Sequence, residues 1–214
     1  MGAMVLGFAA SASAQSPPRP LVRADVSATI AWLEVDASSG SGTPFVHHHW
    51  ESSLFGTIGG GWHWTDHLKT EVDFGAGTKA DAFLVSPVVI NGQPLTRPIY
   101  RRLSRRNVGI SQQYQFFRNA WFHPHLAVGA HLAWDRRRDE SGPIYAFDPV
   151  TRTSRVVEQP RTESPATDFV IRPFVAGGFK AYMTRRAFFR SDLRVGFKNG
   201  IDETLLRLGF GVDF

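Results

Sequence analysis

Charged residues recur at spacings of two along several stretches of the 214-residue chain. Glu71 and Asp73 form one such set, Arg190, Asp192 and Arg194 a second, and Arg172 and Arg207 stand on two further segments. Residues two apart in an extended chain point the same way, so each set projects onto one face. Facing sets of opposite sign can lock together as salt bridges, or rearrange as a gate that admits small ions. A second group is imidazole. His47-His48-His49 forms a run, and His123, His125 and His131 share one parity. Clustered imidazoles bind Zn²⁺ or Ni²⁺, but successive residues of an extended segment point opposite ways, so no metal site and no cofactor are expected here. Ser111 with a neighbouring histidine would suit acyl transfer, with serine as nucleophile and histidine as base. The third group is guanidinium: Arg101-Arg102, Arg105-Arg106 and Arg136-Arg137-Arg138. Guanidinium forks onto phosphate, so these seven define a candidate rim for anionic lipid.

The elements that must position these groups are strands. From Asp25 onward the dominant period is two. Near 25–36, Val26, Ala28, Ile30 and Trp32 oppose Ser27, Thr29 and Ala31. Equivalent alternation predicts strands near 52–64, 67–77, 105–117, 122–135, 168–182, 186–198 and 202–214. In the last, Leu206, Leu208, Phe210, Val212 and Phe214 oppose Arg207, Gly209, Gly211 and Asp213. This makes about eight strands of the ~9–11 residues a tilted membrane strand needs. Connections alternate between short (Thr65-Asp66, Arg118-Asn119, Thr184-Arg185) and long (37–51, 78–104, 136–166), with a tight Asn199-Gly200 turn in the long set. The two longest carry hairpins of their own, one turning at Asn91-Gly92 and one including Val156-Val157, which project past the membrane.

Bulk composition excludes other classes. Hydrophobic residues are 43% of the chain, and mean hydropathy is −0.18. No run approaches the ~18–20 apolar residues of a membrane helix, a test that barrel strands escape because only alternate residues meet lipid. Cysteine is absent, which removes disulfides and thiolate metal sites. The formal charge is +5, yet no basic helix or aromatic RNA-binding motif accompanies it, so nucleic acid is not an expected partner. Residues 1–14 read as a signal peptide with Ala12-Ser13-Ala14 before a cleavage point, and 15–24 as a Pro-rich lead-in. The segment 25–214 is one barrel domain.

Alternation alone fits a lipocalin-like soluble barrel with its apolar face inward, or a membrane barrel with that face outward. Glycine favours the second. Gly59, Gly61, Gly75, Gly77, Gly109, Gly129, Gly178, Gly196, Gly209 and Gly211 all fall on the polar face, where a narrow lumen needs small residues beside long charged ones. Trp62, Trp64, Trp121, Phe122, Tyr182 and Phe188 cluster near the short turns, as interfacial aromatics do. The terminal alternation Leu206-x-Leu208-x-Phe210-x-Val212-x-Phe214 resembles the C-terminal signature of bacterial outer-membrane barrels. With eight strands, the whole of 25–214 resembles the outer-membrane protein A type. That resemblance implies a closed antiparallel up-and-down transmembrane β-barrel, monomeric, in a bacterial outer membrane. It also implies contact with outer-membrane lipids and lipopolysaccharide, and reading of the last strand by the barrel-assembly machinery. Lipid A-modifying enzymes share this shape but work at the lipid-facing wall, whereas Ser111 and the histidines have inward parity. The expected role is therefore non-enzymatic: envelope structure or surface interaction, with at most small-ion leakage. Within the lumen, Arg190, Asp192 and Arg194 are expected to meet Arg207, such that exchanging Asp192 and Arg207 would restore what either charge reversal loses.

Overall fold

The computed structural model describes residues 23–36, 50–117, 121–148, 150–198 and 200–214. The signal segment, most of the lead-in, His47-His48-His49, Arg118-Asn119 and Asn199 lie outside them. The described chain is all strand: β1 (Ala24–Asp36), β2 (Trp50–His63), β3 (Leu68–Gly77), β4 (Ala80–Ile90), β5 (Gln93–Gln115), β6 (Phe122–Ser141), β7 (Ile144–Asp148), β8 (Thr153–Glu158), β9 (Arg161–Thr162), β10 (Ala166–Tyr182), β11 (Ala187–Phe197) and β12 (Ile201–Asp213).

Eight of these close a ring. The order is β1, β2, β3, β5, β6, β10, β11, β12 and back to β1, with every neighbour antiparallel. At the seam the amide of Ala24 donates to the carbonyl of Phe214, and the amide of Phe214 donates back. Closure leaves no free ladder within the ring, which is the condition for strands to cross hydrocarbon. The apolar set faces out. Ile30 is 70% exposed while Thr29 is 6% exposed, and Leu206, Leu208, Phe210, Val212 and Phe214 are all exposed opposite buried Arg207 and Asp213. A lipocalin-like binder would show the reverse.

The two described short turns share one design. Thr65 Oγ1 accepts from the amides of His67 and Leu68, and Thr184 Oγ1 accepts from those of Arg186 and Ala187. A threonine at this position caps the turn amides that the ladder leaves unpaired.

At the opposite end the strands run on past the ring. β5 and β6 are much longer than alternation over 105–117 and 122–135 predicts, because upper β5 pairs with β4 on one side and β6 on the other. The β4–β5 hairpin turns at Asn91 (φ 51°) and Gly92 (φ 77°), the left-handed pair that a two-residue hairpin requires. β7 and β8 form a second hairpin, in whose loop the Val150 and Thr151 amides hold the Asp148 carboxylate below its usual range. Ala80, Ala82, Leu84, Ile99, Ile144 and Ala146 are buried, giving this crown a small core of its own.

The lumen is narrow enough to demand glycine. A Cβ on Gly178 would lie 2.2 Å from the Ser191 carbonyl oxygen and 2.4 Å from Asp192 Cβ. On the outward face, a Cβ on Gly56 would meet nothing closer than 4.0 Å. Gly178→Ala should therefore lower stability by about 1–3 kcal/mol, the usual cost of overpacking. Gly56→Ala should change it by less than about 1 kcal/mol. Urea unfolding in lipid vesicles, with heat-modifiable gel mobility to report closure, measures both; equal losses would contradict the assignment of faces.

Candidate functional site: the lumen and the outer rim

The charged side chains of inward parity meet in the lumen in three tiers, the lower two joined through Lys69. At the short-turn end, Asp25 from β1 accepts from Lys69 of β3 at 3.0 Å and from Lys180 of β10. His63 Nε2 lies 3.2 Å from the same carboxylate. Lys180 also sits 4.2 Å from the ring centre of Phe188, and the Tyr182 hydroxyl donates to Asp213. Phe188 and Tyr182 thus close the floor of the lumen rather than join the interfacial girdle. Phe188 has inward parity, one residue out of step with lipid-facing Phe189, and is fully buried.

In the middle tier Glu71 receives Lys69 and Arg190, each at 2.7 Å. Asp192 receives Arg190 at 2.7 Å and Arg207 at 2.6 Å. Asp73 receives Arg194 at 2.6 Å, with Arg207 at 3.6 Å. The Arg194 guanidinium lies 3.9 Å from the ring centre of Phe174. Glycine makes the space: a Cβ on Gly109 would fall 2.9 Å from Asp73 Oδ1.

The upper tier joins Arg105 to Asp135 and Glu203, and Arg172 to Asp202 at 2.8 Å and Asp135 at 3.0 Å. Beside it, Ala31, Leu33, Phe55 and Leu205 form a buried apolar cluster. A shallow mouth of about 260 Å³ lies above, walled by Val35, Arg101, Arg105, Asp135, Arg172 and Lys198 among others.

All seven residues expected in the charge network face the lumen. Asp25, Lys69, Lys180, Asp213, Asp135, Asp202 and Glu203 join them there. Most carry a signal in their parity. Asp202 does not, since it points inward beside Glu203, which keeps the inward parity of Arg207. The register slips opposite Gly196 and Phe197, leaving Asp202 as an extra residue in β12, and such a bulge re-aims a side chain. The apolar cluster was likewise missed. Its signal is the failure of alternation at Leu33, Phe55 and Leu205, each apolar at a polar parity.

Three expectations need correction. First, the seven arginines of the proposed rim do not form one patch. Arg101 is buried against Asp139 at 2.6 Å, Arg105 belongs to the upper tier, and Arg137 faces Asp168 at 3.4 Å. These odd-numbered positions point inward by parity. Arg102, Arg106, Arg136 and Arg138 remain exposed on the outer wall. Second, the interfacial set loses Tyr182 and Phe188. Third, the exchange of Asp192 with Arg207 treats them as an isolated pair, whereas Asp192 also receives Arg190 from its own strand. An arginine at 192 would stand beside Arg190, so the exchange is expected to leave the network unrestored.

Ser111, His125 and His131 are buried on the lumen side. Neither ring nitrogen of His125 or His131 has a hydrogen-bond partner, although His131 Nε2 lies 3.4 Å from Glu203 without alignment. Among the described residues, no group of three histidine or carboxylate side chains could hold a metal ion.

No family model and no curated protein sequence matches the chain. Solved structures do. OprG of Pseudomonas aeruginosa, an outer membrane protein, aligns at 12% identity over 89% of this chain and 95% of its own, with a TM-score of 0.53. Neisserial surface protein A aligns at 15% identity over 89% and 97%, with a TM-score of 0.50. The chain has the fold of the small eight-stranded β-barrels of bacterial outer membranes, and its exposed apolar band is the lipid-facing wall of such a barrel.

Removing one partner from a buried ion pair costs about 3–5 kcal/mol. Asp192→Asn and Arg207→Gln should each lose stability on that scale, and the double variant should lose clearly less than the sum. The exchange Asp192→Arg with Arg207→Asp should be no more stable than Arg207→Asp alone. Denaturant midpoints of the refolded barrels decide this; recovery on exchange would mean that the two residues form an isolated pair.

Proposed function

We propose that this chain is a non-enzymatic outer-membrane protein whose barrel anchors a surface-exposed crown, serves envelope structure or surface interaction, and passes small ions at most. The observation that carries this reading is the occupied lumen. Ion pairs link β1, β3, β5, β6, β10, β11 and β12 across the interior, and a buried apolar cluster lies beside the upper tier. Eight strands enclose an interior that side chains fill, and the tiers here place buried ion pairs across it at three heights. The crown supports the second half of the reading. It has its own buried core, and it displays Phe83, Tyr100, Tyr145 and Phe147 to solvent, the aromatic residue types enriched in protein contacts.

A lipid A-modifying enzyme is the competing class. Such chemistry needs a nucleophile beside a base at the lipid-facing wall, whereas Ser111, His125 and His131 lie inside the barrel without a Ser–His hydrogen bond.

Planar-bilayer recording tests the proposal. The full chain should give no diffusive-pore conductance. Asp73→Ala with Arg194→Ala, which removes one of the ion pairs of the middle tier, should raise small-ion conductance if the ion pairs are the barrier. Large steps from the unaltered protein would overturn the reading, and a changed lipid A mass on incubation would favour the enzyme.

A further inference from the structure

Once the inward arginines are set apart, four remain on the outer wall of β5 and β6, and their setting is specific. Arg102 stands directly across from Arg138, Ser104 from Arg136, and Arg106 from Trp134. The four thus crowd one face of two paired strands. Directly below them on the same face come Val108 and Ile110 of β5, and Trp134 and Leu132 of β6. Phe169 and Ile171 continue this surface on β10, where Phe169 stands across from Trp134. The patch therefore begins where the lipid-facing band ends, on the crown side of the membrane.

Its charges are unevenly compensated. Arg102 Nε donates to Asp81 at 2.7 Å, and Arg138 lies 3.5 Å from Glu140. Arg106 and Arg136, the two nearest the band, have no acidic partner among the described residues, and both are exposed. Like charges on neighbouring strands repel, and an anion placed between them relieves that repulsion. At this height the anions on offer are the headgroups of the outer leaflet.

We propose that Arg106 and Arg136, flanked by Arg102 and Arg138, form a binding site for the phosphate groups of an outer-leaflet glycolipid of the lipid A type. The apolar residues below, Trp134 and Phe169, take the acyl chains of the same molecule. Guanidinium matches phosphate in planar, forked geometry, and an aromatic residue at the interface suits a ligand that is polar at one end and apolar at the other. The site depends on the outer wall alone and is independent of whether the lumen conducts.

The test uses the full chain refolded in neutral detergent micelles and titrated with bisphosphorylated lipid A, with bound lipid counted by native mass spectrometry. Arg106→Gln with Arg136→Gln should weaken binding about ten-fold, the order expected for two solvent-exposed charge pairs. Heat-modifiable mobility should be unchanged, since neither side chain reaches the lumen. Arg152→Gln with Arg155→Gln on the β7–β8 hairpin removes the same charge elsewhere and should bind as the unaltered protein does. Lipid A stripped of its phosphates should bind the unaltered protein as weakly as the intact lipid binds the Arg106/Arg136 variant, and added salt should narrow the difference. Unchanged binding by the Arg106/Arg136 variant would overturn the proposal. So would an equal loss in the Arg152/Arg155 variant, or full binding of the dephosphorylated lipid.

Discussion

A charge inside a narrow barrel has to be neutralised by a nearby side chain of opposite charge, because there is too little room for the water that would otherwise solvate it. That requirement organises this molecule. Each carboxylate in the middle tier lies near at least two cations: Glu71 near Lys69, Arg190 and Arg207, Asp192 near Arg190 and Arg207, Asp73 near Arg194 and Arg207. The cations are shared in turn, so β3, β11 and β12 are tied by a lattice in which no pair stands alone. Glycines on the inward face follow from the same requirement. Long side chains that cross the lumen need a wall without side chains to cross toward, as Gly109 provides beside Asp73.

The chain divides its work by residue parity and by height. At membrane level, odd and even residues face different solvents, which sets lipid-facing apolar groups against an ionic interior. Above the membrane β4, upper β5, β7 and β8 reuse the same alternation for a different end, burying Leu84, Ile99 and Ile144 among themselves. One continuous strand, β5, passes from one regime to the other between Arg106 and Arg102. The arginines mark that transition, and parity decides which of them belong to the interior and which to the wall.

Much of this was open to reading from sequence, because period two is a strong signal and the glycines broke the tie between the two faces. The ring, its eight strands, its short and long connections and the Asn91-Gly92 hairpin all follow from local pattern. What escaped were features set by register between strands. Whether Arg105 meets Asp135 or a lipid depends on how β5 slides along β6. That Asp202 and Glu203 both enter the lumen depends on one extra residue in β12. The upper apolar cluster gathers from β1, β2 and β12, and each member looked like a lapse in its own strand rather than part of a set.

The pairing of β1 with β12 has a consequence for how the molecule comes into being. These strands lie at opposite ends of the described chain, yet their ladder runs from Asp25 and Asp213 to Val35 and Glu203. Every other neighbour in the ring except β3 with β5 and β6 with β10 follows directly in sequence, and those two are separated by β4 and by β7 to β9 of the crown. The joint between first and last strand is the single contact that spans the whole domain, and loop-closure entropy makes it the slowest to find. Until it forms, β1 and β12 each present an open edge, and Asp25 lacks the scaffold that brings it to Lys180. Sealing the cylinder and completing its ionic floor are one event, so a partly assembled sheet has neither a finished wall nor a neutral interior.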